Sequence, residues 1–196
     1  MKTLLLLPVL LAAFTVPHGT DAALPKGDHD WAIDKGHSSV VFRVKHAGIS
    51  NFYGTFNEIS GEVTLDPQAP EKGSVSLSIP VDSVDSRDAK RDEHLKGPDF
   101  FNGKENPTIA FVSTKIGKKG DALEVTGDLE LAGKKKPVTM VVSKTGEGDF
   151  YGPRVGYEAT FTIKRSDFGM DYGVAKNALG DEVTLMVGLE LVKPKK

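Results

Sequence analysis

The feature that most constrains this chain is a repeated alternation of apolar and polar side chains. In the segment SVSLSIPV at residues 74–81, aliphatic residues alternate with serines and one proline. Successive side chains of a β-strand point to opposite faces, so each such segment predicts a strand with one buried and one exposed face. The pattern recurs along the chain and predicts eight strands, with a shorter one at Trp31.

Turn signals between these strands indicate how they are joined. Glycine-rich segments predict a hairpin loop at residues 117–120 and turns at residues 133–136 and 145–153. In the long strand at residues 52–66, the alternation changes phase near residues 57–58, which predicts a β-bulge. Strands joined mostly by hairpins form an antiparallel sheet. Such sheets form sandwiches or barrels, and we favour an eight-stranded barrel because closure removes exposed edges.

The segment DSRDAKRDEHLKGPDFF at residues 85–101 interrupts the alternation. Asp85 or Ser86 is a candidate N-cap and Gly97 gives a stop, so the segment predicts one short helix. Most of its side chains are charged, which leaves the helix little apolar surface to bury. We expect it to lie over one end of the barrel as a lid, followed by paired phenylalanines. A second irregular stretch spans residues 165–181.

Composition excludes several classes of function. A formal net charge of −2 provides no bulk attraction to nucleic acid or to an anionic membrane. The absence of cysteine excludes a disulfide framework, a thiolate zinc site and a cysteine nucleophile. A length of 196 residues fits one domain with a substantial core.

The N-terminus has the pattern of a secretory signal peptide. Lys2 precedes an apolar run over residues 4–16, which is shorter than the roughly 20 residues that a membrane span needs. Small residues follow and suit cleavage before Ala23. We therefore predict a signal peptide at residues 1–22 and one exported domain at residues 23–196, in the periplasm and without stable membrane insertion.

The apolar faces of the predicted strands contain the small residues Gly61, Gly127 and Ala159. Glycines on an inward face predict unfilled space inside the barrel. An eight-stranded barrel has an interior that side chains can just fill, or that can hold one small ligand. Alternation alone leaves a filled core and an apolar cavity equally open. A cavity with aliphatic and aromatic walls would suit an elongated apolar guest.

Several segments, in their order and spacing, resemble the YceI-like family. They are WAIDKGHSSVVFRVKHAGIS, FYGTFNEISGEV, the lid with NPTIAF, VTGDLELAGKKKPVTM, ATFTIKRSDFGMDYG and LELVK. The resemblance covers nearly all of the mature chain. It implies a lipocalin-like antiparallel barrel whose cavity holds a long amphipathic chain, such as a polyprenyl lipid or an isoprenoid quinone. It implies no catalysis, and it leaves the head group open because family members differ in cargo.

The resemblance, combined with strand parity, indicates which residues would line this cavity. The wall would be formed by Phe42, Val44, Phe56, Val63, Ile79, Phe111, Met140 and Phe161. The mouth would be formed by Phe100, Phe101, Phe168 and Met170.

A polar collar on the lid is a candidate site for the head group. Arg87, Arg91 and His94 fall within one predicted helical segment, and arginine makes bidentate contacts to pyrophosphate. The alternative is a solvated helix with internal ion pairs. No metal or resident cofactor is predicted. His37 and His46 have opposite parity on one strand, which argues against a metal site shared between them.

Other functions fit parts of the pattern. An outer-membrane barrel would show the same alternation, but one Trp and four Tyr are too few for two aromatic girdles. An enzyme or stress-response factor acting on a bound lipid would use Arg87, Asp88, Arg91 and His94, yet no catalytic sequence motif accompanies them. The lid and the second irregular stretch could dock a lipid donor or acceptor, or pair two copies as a homodimer. Our principal prediction is a non-catalytic carrier or store for a lipid.

Overall fold

The computed structural model describes residues 27–194, and the predicted signal peptide at residues 1–22 lies outside them. The strands are β1 (Asp30–Ile33), β2 (Ser39–His46), β3 (Ser50–Phe56), β4 (Ser60–Thr64), β5 (Ser74–Pro80), β6 (Val84–Asp85), β7 (Thr108–Lys119), β8 (Ala122–Leu131), β9 (Lys134–Asp149), β10 (Pro153–Lys164) and β11 (Leu179–Val192). The described helices are α1 (Ala89–Lys96) and the short 3-10 segments Pro70–Lys72, Val81–Ser83 and Arg165–Phe168.

These strands form one antiparallel sheet that closes on itself. Three of the barrel strands consist of two successive segments each: β1 with β2, β3 with β4, and β5 with β6. β1 and β2 both pair with β11. β3 and β4 pair with β2 and β1, and β6 and β5 in turn pair with β3 and β4. β11 pairs with β10 on one side and with β2 and β1 on the other, so the last strand returns to the first. The predicted all-β fold, a closed eight-stranded barrel with one short helix, is confirmed.

The two ends of the barrel are built differently. The lid end carries the β2–β3 turn, the lid (residues 85–101), the β8–β9 turn and the loop at residues 165–178. The far end carries the beginning of β1, the β4–β5 connection, and the β7–β8 and β9–β10 turns. Among the described residues, the α-helix lies at the lid end, and the far end carries only the short 3-10 segment Pro70–Lys72.

The hairpins are longer than the sequence predicts. β7 continues through Lys119, so residues 117–119 belong to a strand and not to a hairpin loop. β9 begins at Lys134 and extends to Asp149, which reduces the predicted turn at residues 145–153 to the few residues before β10. Pairing with neighbouring strands holds these glycine-rich segments extended, because ladder hydrogen bonds outweigh a local preference for turns.

The predicted bulge near residues 57–58 is a break between two strand segments. β3 ends at Phe56 and β4 begins at Ser60, with no strand assigned between them. The change of phase is real, since Phe56 and Val63 are both buried although their spacing in sequence is odd. Ile59 lies within the break and is buried as well.

The helix begins later than predicted. Its N-cap is Asp88, whose Oδ1 accepts a hydrogen bond of 3.0 Å from the backbone N–H of Arg91. The candidate caps Asp85 and Ser86 are wrong, because Asp85 is still held in β6 by pairing with β3 and Ser86 is completely buried. Gly97 is the C-cap, as the sequence predicts.

Candidate functional site

The barrel encloses a cavity of about 190 Å³. Inward side chains from every barrel strand line it, and Leu95, Phe100 and Phe101 of the lid close it at the lid end. Protein interiors contain few voids larger than a water molecule, so this space is not an ordinary packing defect. Of the two possibilities left open by alternation, the structure shows the cavity.

All but one of the predicted wall and mouth residues line this cavity. They are Phe42, Val44, Phe56, Val63, Ile79, Phe100, Phe101, Phe111, Met140, Phe161 and Met170. The exception is Phe168, which is only 3% exposed and packs in the hydrophobic core outside the cavity lining. That any of these side chains contacts a ligand stays a prediction.

Further residues line the cavity that the prediction omits, although the alternation of the strands indicates that they face inward. They include Ile59, Leu65, Val75, Leu77, Val125, Leu129, Leu185 and Leu189. Leu77, for example, lies on the same face of β5 as the predicted residue Ile79. Leu95 is different, because nothing in a helix so rich in charge indicates that its one leucine, in the last turn, faces the barrel.

The inward glycines do not create the space in the way predicted. A Cβ atom on Gly127 would lie 2.5 Å from Cζ of Phe111, so an aromatic ring already occupies that space. A Cβ atom on Gly61 would lie 2.1 Å from the carbonyl oxygen of Ser76, so two strands approach closely there. These two glycines therefore leave no unfilled space at their own positions. Ala159 does line the cavity.

Aromatic rings connect the lid to the barrel wall. The ring of Phe101 meets the ring of Phe56 edge-on with centroids 5.5 Å apart, and Phe56 lies 5.8 Å from Phe42. Edge-to-face and tilted pairs at such distances contribute beyond the apolar area that they bury. The lid therefore packs against phenylalanines that also form the cavity wall.

His94 joins the lid to the loop at residues 165–178. Its Nε2 lies 2.9 Å from Oδ2 of Asp99, within hydrogen-bonding distance. The imidazole packs edge-on against Phe100 and Tyr172, with ring centroids 5.1 and 5.0 Å apart. His94 is thus part of the contact between the lid and the loop at residues 165–178. It is not among the residues that line the cavity.

The structure does not gather the predicted collar around the cavity. Arg91 donates from Nε to Oγ of Ser86 at 2.8 Å and from Nη2 to the Ser86 carbonyl at 2.6 Å. Its guanidinium also lies 4.5 Å from the ring centroid of Phe52. Arg87 is exposed in a left-handed backbone conformation, with φ of 64°. Head-group binding by Arg87, Arg91 and His94 stays a prediction.

Arg165 is the buried cation at the lid end. Its guanidinium donates to the carbonyls of Gly180 at 2.7 Å, Met170 at 2.8 Å, Tyr172 at 2.8 Å and Leu179 at 3.0 Å. Burial lowers the pKa of Arg165 from its ordinary value of 12.5. Because its donors are already satisfied by backbone carbonyls, this side chain organises the loop around the cavity and is not free to bind a guest.

A cluster of titratable groups at the far end forms an ion network. Ligand atoms of Asp34, His37 and Glu190 lie within 4.8 Å of one another, a spacing that could hold a metal ion. The guanidinium of Arg154 lies among them, 2.6 Å from Asp34 and in closer contact with Glu190. The arginine therefore supplies the positive charge for these carboxylates. His46 is exposed at the end of β2 and is not part of the cluster.

The family follows from comparison with known proteins. The sequence profile of the YceI-like domain matches residues 31–191. The chain belongs to the YceI-like family. It is 39% identical over 198 residues to the UPF0312 protein of Pseudomonas aeruginosa, with 98% of each chain covered. It is 41% identical over 172 residues to the protein YceI of Shigella flexneri, covering 85% of this chain and 88% of that protein.

Solved structures of the YceI-like fold agree with the barrel described above. The crystal structure of BcnA from Burkholderia cenocepacia matches with a TM-score of 0.74 and 30% identity, covering 81% of this chain and 98% of that chain. A polyisoprenoid binding domain from Saccharophagus degradans matches with a TM-score of 0.65 and 15% identity, covering 84% and 98%. The second likeness shows the fold alone. Within residues 27–194, no helix has the length and apolar character needed to cross a membrane.

Proposed function

We propose that this YceI-like protein binds a long-chain amphipathic lipid in its barrel and carries or stores it without catalysis. The class of lipid is a polyisoprenoid or an isoprenoid quinone. The observation that carries the proposal is the cavity of about 190 Å³, walled by apolar side chains from all barrel strands and covered by the lid. The likeness to a polyisoprenoid binding domain is consistent with this class, but the proposal rests on the cavity of this chain.

The energetics support a lipid guest. Burying ten methylene groups of an alkyl or isoprenoid chain yields roughly 8 kcal/mol, at about 0.8 kcal/mol each. The estimated cost of association is about 4–15 kcal/mol, so a long chain can bind with few polar contacts. A cavity that is dry and apolar along its length supplies most of what such a guest needs.

The proposal includes export to the periplasm. It rests on the signal-peptide pattern at residues 1–22, and it predicts that the mature chain begins at Ala23. Cell fractionation followed by N-terminal sequencing of the recovered protein tests this point. Recovery without detergent from the periplasm agrees with a carrier, whereas recovery only from detergent-solubilised outer membrane would favour a membrane barrel.

Native mass spectrometry of protein purified from the periplasm tests the binding function. We expect a complex with one discrete long-chain lipid, which organic extraction then identifies. To cover the case of a carrier emptied during purification, the stripped protein is also mixed with a polyprenol and measured again. A chain that neither retains a lipid nor takes up the added polyprenol is not a lipid carrier.

Two variants on β10 distinguish a loss of lipid binding in the cavity from a loss of the fold. Phe161 lines the cavity, whereas Thr160 is exposed on the outer face of the same strand. Phe161→Arg places a charge in the apolar cavity and should abolish lipid binding, because an unpaired charge is costly to desolvate. Thr160→Arg should bind like the unmodified protein. Circular dichroism on both variants checks that the barrel is intact.

A further inference from the structure

A β-bulge in β9 lies directly opposite Tyr157. Along the β9–β10 ladder, from the lid end toward the far end, Ala159 pairs with Val142 and Tyr157 pairs with Lys144. The next partner pair is Gly156 with Gly146, so the register shifts at this point and one residue of β9 has no partner. Such a bulge changes which side chains of the longer strand face the interior.

The bulge places two exposed charged side chains on the inner face of the sheet, at the far end of the barrel. Directly opposed residues of an antiparallel pair share one face of the sheet. Tyr157 lines the cavity, so its partner Lys144 lies on the inner face, and Val155 is buried, so its partner Glu147 lies there too. Without the bulge, strict alternation from Lys144 would place Glu147 on the outer face. Lys144 Nζ and Glu147 Oε2 are 2.6 Å apart.

These charged groups surround a second, smaller depression at the far end. It has a volume of about 80 Å³ and is lined by His29, Trp31, Leu65, Pro67, Lys144, Glu147, Val155 and Tyr157. Leu65 and Tyr157 also line the main cavity, so they form the wall that the two spaces share. The apolar cavity therefore adjoins a depression at the far end that carries charged side chains at its edge.

Among the described residues that line the cavity, Tyr157 carries the polar group that is available to hydrogen-bond a guest. Within residues 27–194 its hydroxyl has no hydrogen-bond partner, and burial raises the pKa of the phenol above its ordinary value of 10.0. The other polar residues of the described lining are Arg165, whose guanidinium is held by backbone carbonyls, and Glu158, which is exposed on the outer face of β10. A neutral phenol can both donate and accept a hydrogen bond.

Among the described residues, the lid end offers no equivalent polar group facing the cavity. The residues that close it, Leu95, Phe100, Phe101 and Met170, are apolar. Arg91 nearby is hydrogen-bonded to Ser86. An amphipathic guest that enters such a cavity would leave its polar group at the end where water and a hydrogen-bond partner are present, because an unpaired polar group in the apolar end is costly.

We propose that the lipid lies with its polar head at the far end, hydrogen-bonded by Tyr157 beside Lys144 and Glu147, and with its chain extending toward the lid. The head is an uncharged oxygen group, either the hydroxyl of a polyprenol or the carbonyl of a quinone. This inference rests on the proposed lipid-binding function and adds the orientation of the guest and the chemistry of its head.

The charge balance of the depression favours an uncharged head. Lys144 is neutralised by Glu147, and His29 Nε2 lies 3.6 Å from a carboxylate oxygen of Asp66. Lys193 also lies close by, with Nζ 3.7 Å from the ring centroid of Trp31, and it donates to the backbone carbonyls of Asp28 and Asp30. A phosphate would require cations that are not already held by other groups, and each of these three is engaged within the protein. A hydroxyl or carbonyl requires only one hydrogen bond from Tyr157.

Trp31 provides a direct test of orientation. It is the single tryptophan of the chain and lines this depression. Stripped protein is mixed with a polyprenol dibrominated across the double bond nearest the hydroxyl, or with one dibrominated at the opposite end of the chain. Heavy-atom quenching acts at short range, so the first probe should quench Trp31 fluorescence and the second should not. The opposite result would place the head beneath the lid and overturn the inference.

Tyr157→Phe tests the hydrogen bond itself. The substitution keeps the ring and removes the hydroxyl, so it should raise the Kd for a polyprenol about fivefold, as the loss of one net hydrogen bond does. The Kd for a polyprene hydrocarbon of equal length, without a hydroxyl, should not change. Polyprenyl phosphate should bind the unmodified protein more weakly than polyprenol. Stronger binding of the phosphate, or equal effects of the variant on both uncharged probes, contradicts the inference.

The outcomes separate this inference from the function on which it rests. If neither uncharged probe binds the unmodified protein, the lipid-binding function fails and the inference fails with it. If both bind and Arg87→Ala, instead of Tyr157→Phe, weakens the polyprenol alone, the function stands and the head group lies at the lid.

Discussion

The ring of Phe42 lies directly against the backbone of Gly54, its partner across the β2–β3 ladder. A Cβ atom on Gly54 would be 2.2 Å from Cζ of Phe42, closer than any real contact of this kind. Because glycine has no side chain, the large ring can lie flat along the wall and does not project across the barrel. Phe111 lies against Gly127 in the same way. The cavity thus stays open although its wall is rich in aromatic residues.

Gly54→Ala should push the ring of Phe42 toward the cavity. We expect the free energy of unfolding to fall by about 1–3 kcal/mol, the usual cost of overpacking a filled site. Binding of a polyprenol should weaken as well, because the displaced ring takes up space that the guest uses. Chemical denaturation and lipid titration measure the two effects. Gly117→Ala is the matched control, since a Cβ on that strand glycine would have no neighbour within 4 Å. Equal effects of both substitutions would refute this explanation.

Arg165→Lys should loosen the loop at residues 165–178. The guanidinium donates to carbonyls within this loop, at Met170 and Tyr172, and at the start of β11, at Leu179 and Gly180; a lysine cannot reproduce that planar set of donors. We expect a loss of about 2–3 kcal/mol in the free energy of unfolding. Hydrogen exchange should accelerate in this loop first.

A suitable control for this variant is Arg87→Lys. Arg87 is exposed, and its side chain makes no hydrogen bond within the described part of the chain. The control should change stability by less than about 0.5 kcal/mol. A loop whose hydrogen exchange is unchanged in Arg165→Lys would show that the carbonyl contacts do not order it.

Stability should depend on pH through Asp34. Its hydrogen bond from Arg154, followed by that with His37, lowers the pKa of the Asp34 carboxyl from 3.8 to about 2. Because the folded pKa is the lower one, the contribution of this group is complete above about pH 4 and is lost as the pH falls toward 2. Asp34→Asn should therefore reduce the acid dependence of stability between these values.

Urea denaturation at several pH values between 2 and 5 measures this dependence. Asp121→Asn, in the exposed β7–β8 turn, serves as the control and should keep the acid dependence of the unmodified protein. If Asp34→Asn and the unmodified protein lose stability in parallel over this range, the ion network with Arg154 does not contribute as we describe.

Ser86→Ala should make the lid open more readily. Ser86 is completely buried, accepts a hydrogen bond of 2.8 Å from Arg91 Nε and donates one of 2.5 Å to Asp92 Oδ1. The substitution removes the hydroxyl partner from both helix residues, which keep only their hydrogen bonds to the Ser86 backbone, at a cost of about 1–2 kcal/mol. If the lid gates the proposed lipid site, release of a fluorescent polyprenol to vesicles should become roughly tenfold faster.

Lys90→Ala is the control for the lid, because Lys90 is exposed on the same helix. Its release rate should match that of the unmodified protein. A Ser86→Ala variant that is less stable but releases lipid at an unchanged rate would mean that the guest leaves by another route. The far end, beside Tyr157, would then be the first place to examine.

Much of the architecture was predictable because strand parity is a local property. The alternation at Val40, Phe42 and Val44 shows by itself which face is buried, and the same reasoning, with the family resemblance, identified eight wall residues that all line the cavity. The charged segment at residues 85–101 was recognisable as a short helix because its composition is incompatible with a half-buried strand. The resemblance to the YceI-like family agreed with this local information.

Sequence alone thus determined most of the strands, their inner faces and the presence of a short charged helix, and it favoured a closed barrel over a sandwich. Tertiary structure decided whether the barrel was filled, because it is the packing of Phe42 on Gly54 and of Phe111 on Gly127 that holds these rings along the wall. It also decided the burial of Arg165 and the position of the β9 bulge that turns Glu147 inward. These features depend on which strand lies opposite which, and pairing between distant residues leaves no periodic signal in the sequence.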